Sequence, residues 1–141
     1  MELIEYPPSV VIVAIDADEL VLVRQERPGA AGARTLELPS GKIEPGETPR
    51  EAAARELAEE CGLAAHEWHE LGTFWCAPAY STELVHVFEA HGLGEAAPAE
   101  LDDDEDVEVE RRPLDDLEGL SDAASIAALA LWRERRSGVR G

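Results

Sequence analysis

The sequence of 141 residues lacks several features that would narrow its function at once. Its only two cysteines, Cys61 and Cys76, have no metal-ligand spacing and are interpreted as reduced, structural thiols. The longest apolar run, residues 10–15, is far shorter than the ~20 residues that a membrane span requires. The N-terminus has no basic segment typical of a secretory signal. We therefore expect a cytoplasmic protein without a membrane partner.

Basic residues are also scarce, because 12 Lys and Arg stand against 31 Asp and Glu and give a formal net charge of −19. So acidic a surface repels the backbone of a nucleic-acid polymer, which argues against such a partner. A small phosphorylated substrate is still compatible with this charge if metal cations neutralise the site locally. Solubility or salt adaptation explains the bulk charge equally simply.

The chain length fits one domain over residues 1–141. Between residues 40 and 47, glycine and proline punctuation predicts a loop. Helices are predicted over residues 49–61 and from Ser121, as a cap, to about Arg136. Runs of β-branched and apolar residues predict strands over residues 9–16, 20–24, 35–38, 68–75, 84–90 and 107–111. This order predicts an α/β sandwich with a mixed sheet.

The first helix has clear end signals. Thr48 and Glu51 form a Thr-x-x-Glu capping box, Pro49 suits the first helical position, and Gly62 suits the C-terminal stop. At 100° per residue, two arcs of ~100° stand out on this helix. The arc expected to face the core holds Ala54, Leu57, Ala58 and Cys61. The opposite arc holds Glu56, Glu59 and Glu60.

Three carboxylates on one helix face repel one another, and several lie toward the C-terminus, where the helix dipole also disfavours them. A hard divalent cation such as Mg²⁺ or Mn²⁺ would remove this conflict, because these ions prefer oxygen ligands. A solvated acidic face would explain the helix by itself equally well.

A longer pattern decides between these alternatives. Residues 41–63 read G-x5-E-x7-R-E-U-x-E-E-x-G-U, where U is a bulky aliphatic residue. Chance would give this pattern on the order of once in ten million chains of this length. It resembles the Nudix box at every defined position: Gly41, Glu47, Arg55, Glu56, Leu57, Glu59, Glu60, Gly62 and Leu63. The chain is thus identified as similar to the Nudix hydrolase superfamily.

The resemblance implies a Nudix-type α/β/α sandwich with a central mixed sheet, one catalytic helix and a C-terminal helix. It implies cleavage of a pyrophosphate bond with Mg²⁺, or alternatively Mn²⁺, as cofactor. The implied metal ligands are the backbone carbonyl of Ser40 and the carboxylates of Glu56, Glu59 and Glu60. The implied structural residues are Gly41, where the loop approaches the metal, Gly62, and Glu47 and Arg55, which brace the loop against the helix.

Outside the box, the chain resembles the ADP-ribose pyrophosphatase branch from about residue 10 to residue 132. Residues 23–28 (VRQERP) and 37–47 (ELPSGKIEPGE) resemble two segments of that branch, and residues 122–125 match a C-terminal one. Pro78 lies near a marker proline, and Glu83 and His86 match a further stretch.

The candidate substrate-binding residues implied by this branch are Arg27, Glu37, Pro78 and Glu83. A guanidinium suits paired phosphate oxygens, although a surface salt bridge is the simpler role for Arg27. Glu37 would accept hydrogen bonds from the ribose or base, with a structural role as the alternative.

The catalytic candidates are Glu105, Asp103 and Glu59. The acidic residues 102–106 occupy the place of a loop that brings a catalytic glutamate over the metals in relatives, and Glu105 matches best. A carboxylate there could orient or deprotonate the attacking water, whereas a solvated acidic loop is the simpler explanation.

The expected reaction is hydrolysis of ADP-ribose or a similar nucleoside diphosphate sugar to a nucleoside monophosphate and a sugar phosphate. The alternatives are hydrolysis of dinucleoside polyphosphates or damaged nucleoside triphosphates and, more distantly, a non-catalytic nucleotide-sensing module. Relatives of the branch form dimers through a longer N-terminal segment that also clamps the adenine. Because the first strand begins near the start of this chain, the sequence leaves the homodimer and the clamp open.

Overall fold

Seven β-strands and two α-helices make up most of the structure, a computed structural model that describes residues 2–97 and 107–136. The helices are α1 (Pro49–Cys61) and α2 (Ala123–Arg136), and a short 3-10 turn covers Pro28–Ala30. The strands are β1 (Ser9–Asp16), β2 (Glu19–Glu26), β3 (Arg34–Glu37), β4 (Ser40–Lys42), β5 (Leu63–Trp75), β6 (Leu84–Glu95) and β7 (Glu108–Pro113). None of the described helices is both long and apolar enough to cross a membrane.

Strand β1 is the centre of the molecule because both of its faces are buried. Successive side chains of a strand point to opposite faces, so a continuous apolar run supplies two cores at once. Val11, Val13 and Ile15 belong to the core beneath α2, whereas Val10 and Ile12 belong to the core beneath α1. β1 runs parallel to β6, while its other pairings are antiparallel. The predicted α/β/α sandwich with a mixed sheet is therefore confirmed.

The sheet divides beside β1. Near the turn, β1 pairs with β2 only at Ile15–Leu20 and Asp16–Glu19. Farther down, residues 9–11 pair instead with β4. The strands β1 and β2 thus diverge, and the link from β3 to β4 enters the gap, where Ile12 donates a backbone hydrogen bond to Pro39. This divergence opens a cleft beside the loop that leads into α1.

Four sequence-based expectations need correction. Residues 40–42 form strand β4 rather than part of a loop, since they pair with β1. Strands β5 and β6 are longer than predicted because they pair with each other from Leu63–Glu95 to Trp75–Leu84. Ala54 is exposed, and Ala53 is buried in its place, because α1 lies rotated on the sheet. α2 begins after Asp122, whose carboxylate accepts a hydrogen bond from the Ser125 backbone N–H, so Asp122 rather than Ser121 caps it.

A buried hydrogen bond fixes α2 against the edge of the cleft. The backbone N–H of Leu38 donates to Ser125 Oγ at 2.9 Å, and both residues are buried. We expect Ser125→Ala to lower the free energy of unfolding by about 1–3 kcal/mol, because it leaves a buried N–H without an acceptor. Urea titration of the variant beside the exposed Ser121→Ala control measures this effect. Equal stabilities of the two variants would show that the bond does not hold α2 in place.

Candidate active site

A cleft of about 500 Å³ opens where β1 and β2 diverge. Its volume lies in the range of roughly 300–1,000 Å³ that is typical of small-molecule sites. Seven of the residues singled out from the sequence line it: Arg27, Glu37, Ser40, Gly41, Glu56, Glu60 and Glu83. The fold therefore brings together residues that lie up to 56 positions apart in the chain, from Arg27 to Glu83.

The floor of the cleft is formed where α1 meets β4. The backbone N–H of Ser40 donates to Glu60 Oε1 at 3.0 Å. A Cβ atom added to Gly41 would overlap the Glu56 carboxylate, so only glycine allows this close approach. The backbone of β4 thus lies directly against the Glu56 and Glu60 carboxylates, at the point where the sequence predicts metal ligands.

These carboxylates are poorly solvated. Burial raises the pKa of Glu60 to about 8, and the neighbouring charge of Glu56 adds to this effect despite the hydrogen bond from Ser40. Burial also raises the pKa of Glu56, against the opposing influence of Arg55. Negative charge in such surroundings is unfavourable unless a cation compensates it. The site is therefore arranged to receive positive charge.

Arg55 joins the loop before α1 to the helix. Its Nε and Nη2 atoms donate to the two carboxylate oxygens of Glu47 at 2.7 and 2.9 Å, and Nη2 also donates to the backbone carbonyl of Lys42. Its Nη1 atom donates to Glu56 at 2.7 Å and to Glu59 at 3.2 Å. The hydrogen bonds from Arg55 outweigh burial and lower the pKa of Glu47. The contact between Glu47 and Arg55 is the bracing contact that the sequence predicts.

Glu59 lies apart from the other two box carboxylates. It does not line the 500 Å³ cleft but borders a neighbouring depression together with Lys42, Arg55 and Glu56. Glu56 and Lys42 line both spaces and therefore separate them. A role for Glu59 in holding a metal would depend on the ion lying toward that side.

Arg27 and Glu37 form a paired ion bridge in the cleft wall. Arg27 Nε and Nη2 each donate to one Glu37 oxygen at 2.8 Å, and Thr35 donates to the same carboxylate. Burial alone would raise the pKa of Glu37, but the bonds from Arg27 and Thr35 hold it below its usual range. Glu37 is only 5% exposed, whereas the Arg27 side chain is 44% exposed. This geometry favours the structural alternative for Glu37 and leaves Arg27 Nη1 directed away from that bridge.

The other predicted site residues have different positions. Glu83 lines the cleft and accepts a hydrogen bond from Ser9 Oγ at 2.8 Å. Pro78 is exposed in the turn before β6 and is not among the residues that line the cleft. Glu105 and Asp103 lie outside the described residues.

The cleft also contains functional candidates that the sequence reasoning missed: Gln25, Lys42, Cys76 and Asp122. Gln25 and Asp122 belong to two segments that resemble the ADP-ribose pyrophosphatase branch. A glutamine or an aspartate in such a segment does not by itself indicate a residue of the active site. Lys42 lies with Nζ 5.0 Å from the centre of the Tyr6 ring. Burial and the nearby charge of Glu83 raise the pKa of Cys76, which keeps it in the thiol form.

Comparison with known protein families identifies the family to which this fold belongs. Residues 5–131 match the model of the NUDIX domain. The chain belongs to this family. The Nudix helix is α1, and the box residues Glu56 and Glu60 project from it into the cleft.

Individual relatives point to one branch of the Nudix family. The chain is 38% identical over 118 residues to the ADP-ribose pyrophosphatase of Bacillus subtilis (strain 168), which is 82% of this chain and 63% of that protein. It is 34% identical over 134 residues to the ADP compounds hydrolase NudE of Escherichia coli (strain K12), covering 89% of this chain and 70% of that one. A crystal structure of an ADP compounds hydrolase superposes with a TM-score of 0.83 at 32% identity, covering 93% of this chain and 73% of that chain. This chain thus spans less than two thirds of the length of the first of these relatives.

Nudix hydrolases generally depend on a divalent metal. In residues 2–97 and 107–136, no three His, Cys, Asp or Glu side chains form a ready-made metal cluster. The groups that do converge are the Glu56 and Glu60 carboxylates, whose oxygens are hard ligands, and the backbone of Ser40 and Gly41, which lies against them. The close approach permitted by Gly41 and the burial of both carboxylates fit a hard divalent cation, which Glu56 and Glu60 would hold.

Proposed function

We propose that this protein hydrolyses the pyrophosphate bond of ADP-ribose or a similar nucleoside diphosphate sugar, giving a nucleoside monophosphate and a sugar phosphate. One observation carries this proposal: the box carboxylates Glu56 and Glu60 and the cation Arg27 line the same cleft. The identities of 38% and 34% to an ADP-ribose pyrophosphatase and an ADP compounds hydrolase support the same substrate class.

The charges of the cleft explain why a cation is needed for such a substrate. Five acidic residues line the cleft, against the basic residues Arg27 and Lys42: Glu37, Glu56, Glu60, Glu83 and Asp122. A diphosphate would be repelled by this excess of carboxylates. A bound Mg²⁺, or Mn²⁺, would supply charge neutralisation and a more acidic water.

The chain's own residues would then divide the work. Glu56 and Glu60 would hold the cation, with the Ser40 carbonyl as a further ligand. Arg27, oriented by Glu37, would contact the phosphates through its remaining N–H groups. Arg55 and Glu47 would keep the loop before α1 in place, so that the backbone at Gly41 stays close to the Glu56 carboxylate.

For the general base we propose Glu105, with Asp103 as the second choice and Glu59 as a supporting carboxylate. A base must reach the attacking water directly or through one water molecule. Glu59 borders the neighbouring depression rather than the cleft, which makes it a less direct candidate for this role.

A substrate panel with Mg²⁺ and with Mn²⁺ tests the proposed reaction. The panel contains ADP-ribose, ADP-glucose, GDP-mannose, NADH, diadenosine polyphosphates and oxidised dGTP. We expect the highest kcat/KM on a nucleoside diphosphate sugar, with AMP and ribose 5-phosphate as the products from ADP-ribose. Release of ATP from a dinucleoside polyphosphate, or of pyrophosphate from oxidised dGTP, at higher kcat/KM would assign the alternative reaction instead. Absence of turnover on every compound would leave only the nucleotide-sensing module.

We also propose that the protein acts in the cytoplasm on small molecules, without a nucleic-acid polymer or a membrane as partner. The net charge of −19 argues against a nucleic-acid polymer as partner. A homodimer is the oligomeric state that the branch suggests, and sedimentation of the purified chain would test it.

A further inference from the structure

Lys42 is the only lysine of the chain, and it lies where the 500 Å³ cleft meets the neighbouring depression. Of the residues that line the cleft, only Lys42 and Glu56 also line that depression. The residue before it is Gly41, whose backbone approaches the Glu56 carboxylate. The single lysine is therefore a neighbour of the carboxylates that we assign to the metal.

The backbone at Lys42 is fixed from two directions. Lys42 pairs with Ser9 in the ladder between β1 and β4, and its carbonyl accepts a hydrogen bond from Arg55 Nη2 at 2.9 Å. The N–H of the next residue, Ile43, donates to the backbone carbonyl of Pro8 at 2.8 Å. The contacts that brace the loop before α1 thus also set the position of Lys42.

The ammonium group of Lys42 lies on an aromatic ring. Its Nζ is 5.0 Å from the centre of the Tyr6 ring, and no carboxylate among the described residues forms an ion pair with it. The other cation of the cleft, Arg27, is instead paired with Glu37. Tyr6 is anchored by Thr82 Oγ1, which accepts from the Tyr6 N–H at 2.8 Å and donates to the Tyr6 carbonyl at 3.1 Å. An aromatic face attracts a cation but has no lone pair, so the N–H donors of Lys42 stay available for an anion.

A diphosphate is the anion that suits this position. The cleft carries more carboxylates than basic residues, so an anion is attracted only where positive charge is concentrated. An ammonium group binds phosphate oxygens as a compact point charge, and hydrogen bonds between ionised groups are the strong ones. Because Lys42 and Glu56 border the same two spaces, we expect phosphate oxygens on a cation held by Glu56 to come within reach of the Lys42 side chain.

We propose that Lys42 binds the diphosphate of the substrate as a second cation beside Arg27, and that Tyr6 is a positioning residue that acts through Lys42. This inference rests on the proposed function, because it assigns Lys42 to the diphosphate of a nucleoside diphosphate sugar. The Tyr6 ring limits the conformations of a flexible side chain before the substrate arrives, which lowers the entropic cost of binding.

The single lysine makes a direct test of the contact possible. Acetylation with an amine-reactive reagent, followed by mass spectrometry of the peptides, reports on Lys42 as the only lysine. With Mg²⁺, we expect a saturating concentration of α,β-methylene ADP-ribose, which is not hydrolysed, to slow acetylation of Lys42 roughly tenfold or more. Adenosine with Mg²⁺, and Mg²⁺ alone, should leave the rate unchanged. An analogue that inhibits hydrolysis of ADP-ribose without protecting Lys42 would overturn the inference.

Kinetics of variants separate the charge of Lys42 from its apolar stem. Lys42→Met should raise KM for ADP-ribose and lower kcat/KM roughly 10- to 100-fold, and Lys42→Arg should restore most of this loss. Arg50→Met is the matched control. Arg50 also lies over a ring, with Cζ 5.5 Å from the centre of Trp68, but it lines neither of the two spaces and should keep wild-type kinetics on replacement.

Variants of Tyr6 test whether it acts through Lys42. Tyr6→Phe keeps the ring and should keep the wild-type KM, whereas Tyr6→Leu should raise KM. In the Lys42→Met background, Tyr6→Leu should have no further effect, because the charge that it positions is already gone. An equal effect of Tyr6→Leu in both backgrounds would overturn the positioning role.

The outcome for Lys42 can be separated from that for the proposed function. Wild-type KM and kcat in Lys42→Met would overturn the inference while the proposed function stands. Absence of hydrolysis of any nucleoside diphosphate sugar by the wild-type protein would instead remove the proposed function itself.

Discussion

Replacing Glu60 with glutamine should lower kcat on the preferred nucleoside diphosphate sugar by roughly a thousandfold or more with the fold intact. The change removes an anionic oxygen from the floor of the cleft, where a divalent cation would contribute several kcal/mol to the stabilisation of transition-state charge. The amide still offers an oxygen to the Ser40 N–H, so the loop should stay in place. A neutral side chain also avoids the cost of burying a carboxylate. Steady-state kinetics with Mg²⁺ and thermal unfolding measure the two effects.

Glu51→Gln is the matched control for this change. Glu51 lies on the same helix, in its exposed first turn, and glutamine also serves in a capping box. We expect its kcat and unfolding temperature to be close to those of the wild type. Near wild-type turnover by Glu60→Gln, under the same metal concentration, would contradict the assignment of Glu60 as a metal ligand.

Gly41→Ala should reduce kcat/KM by roughly 100-fold or more while lowering the free energy of unfolding by only about 1 kcal/mol. The added methyl group would occupy the position of the Glu56 carboxylate. That carboxylate is the far end of a flexible side chain, so it can swing aside without moving α1. Displacing it by about 1 Å, however, is enough to spoil a catalytic geometry. Kinetics and urea titration on the same preparation separate the two quantities.

Gly94→Ala provides the comparison for this substitution. A Cβ atom at Gly94 would meet no other atom within 4 Å, and its backbone needs no left-handed conformation. It should keep wild-type kinetics. If Gly41→Ala retained full activity, the close approach of the loop to Glu56 would not be part of the site.

Local sequence signals are sufficient to predict where the Nudix helix begins and ends. Thr48 and Glu51 form both bonds of the predicted capping box, and Gly62 ends the helix in a left-handed conformation with φ of 69°. These features act within one turn of the chain, so the sequence alone determines them. The exposure of Ala54 could not be predicted in this way, because the rotation of α1 on the sheet depends on partners far along the chain.

The length of strands β5 and β6 likewise depends on residues that are distant in the sequence. Polar residues interrupt the first part of β5. The sequence pattern therefore predicts a strand that begins only at residue 68. Leu63 nevertheless pairs with Glu95, because backbone hydrogen bonding along an established hairpin tolerates polar side chains. Likewise, β4 exists only because β1 lies beside it.

Patterns within the sequence are enough to identify the family, the order of the main elements and the acidic residues of α1, because a box with fixed spacing encodes local chemistry. Which of these residues share a cleft depends on how distant segments pack together. The divergence of β1 from β2 places Glu56 and Glu60 opposite Arg27, leaves Glu59 to one side and adds Gln25 and Asp122. Such proximity arises from strand pairing and helix packing between distant segments, and no pattern within a single segment contains that information.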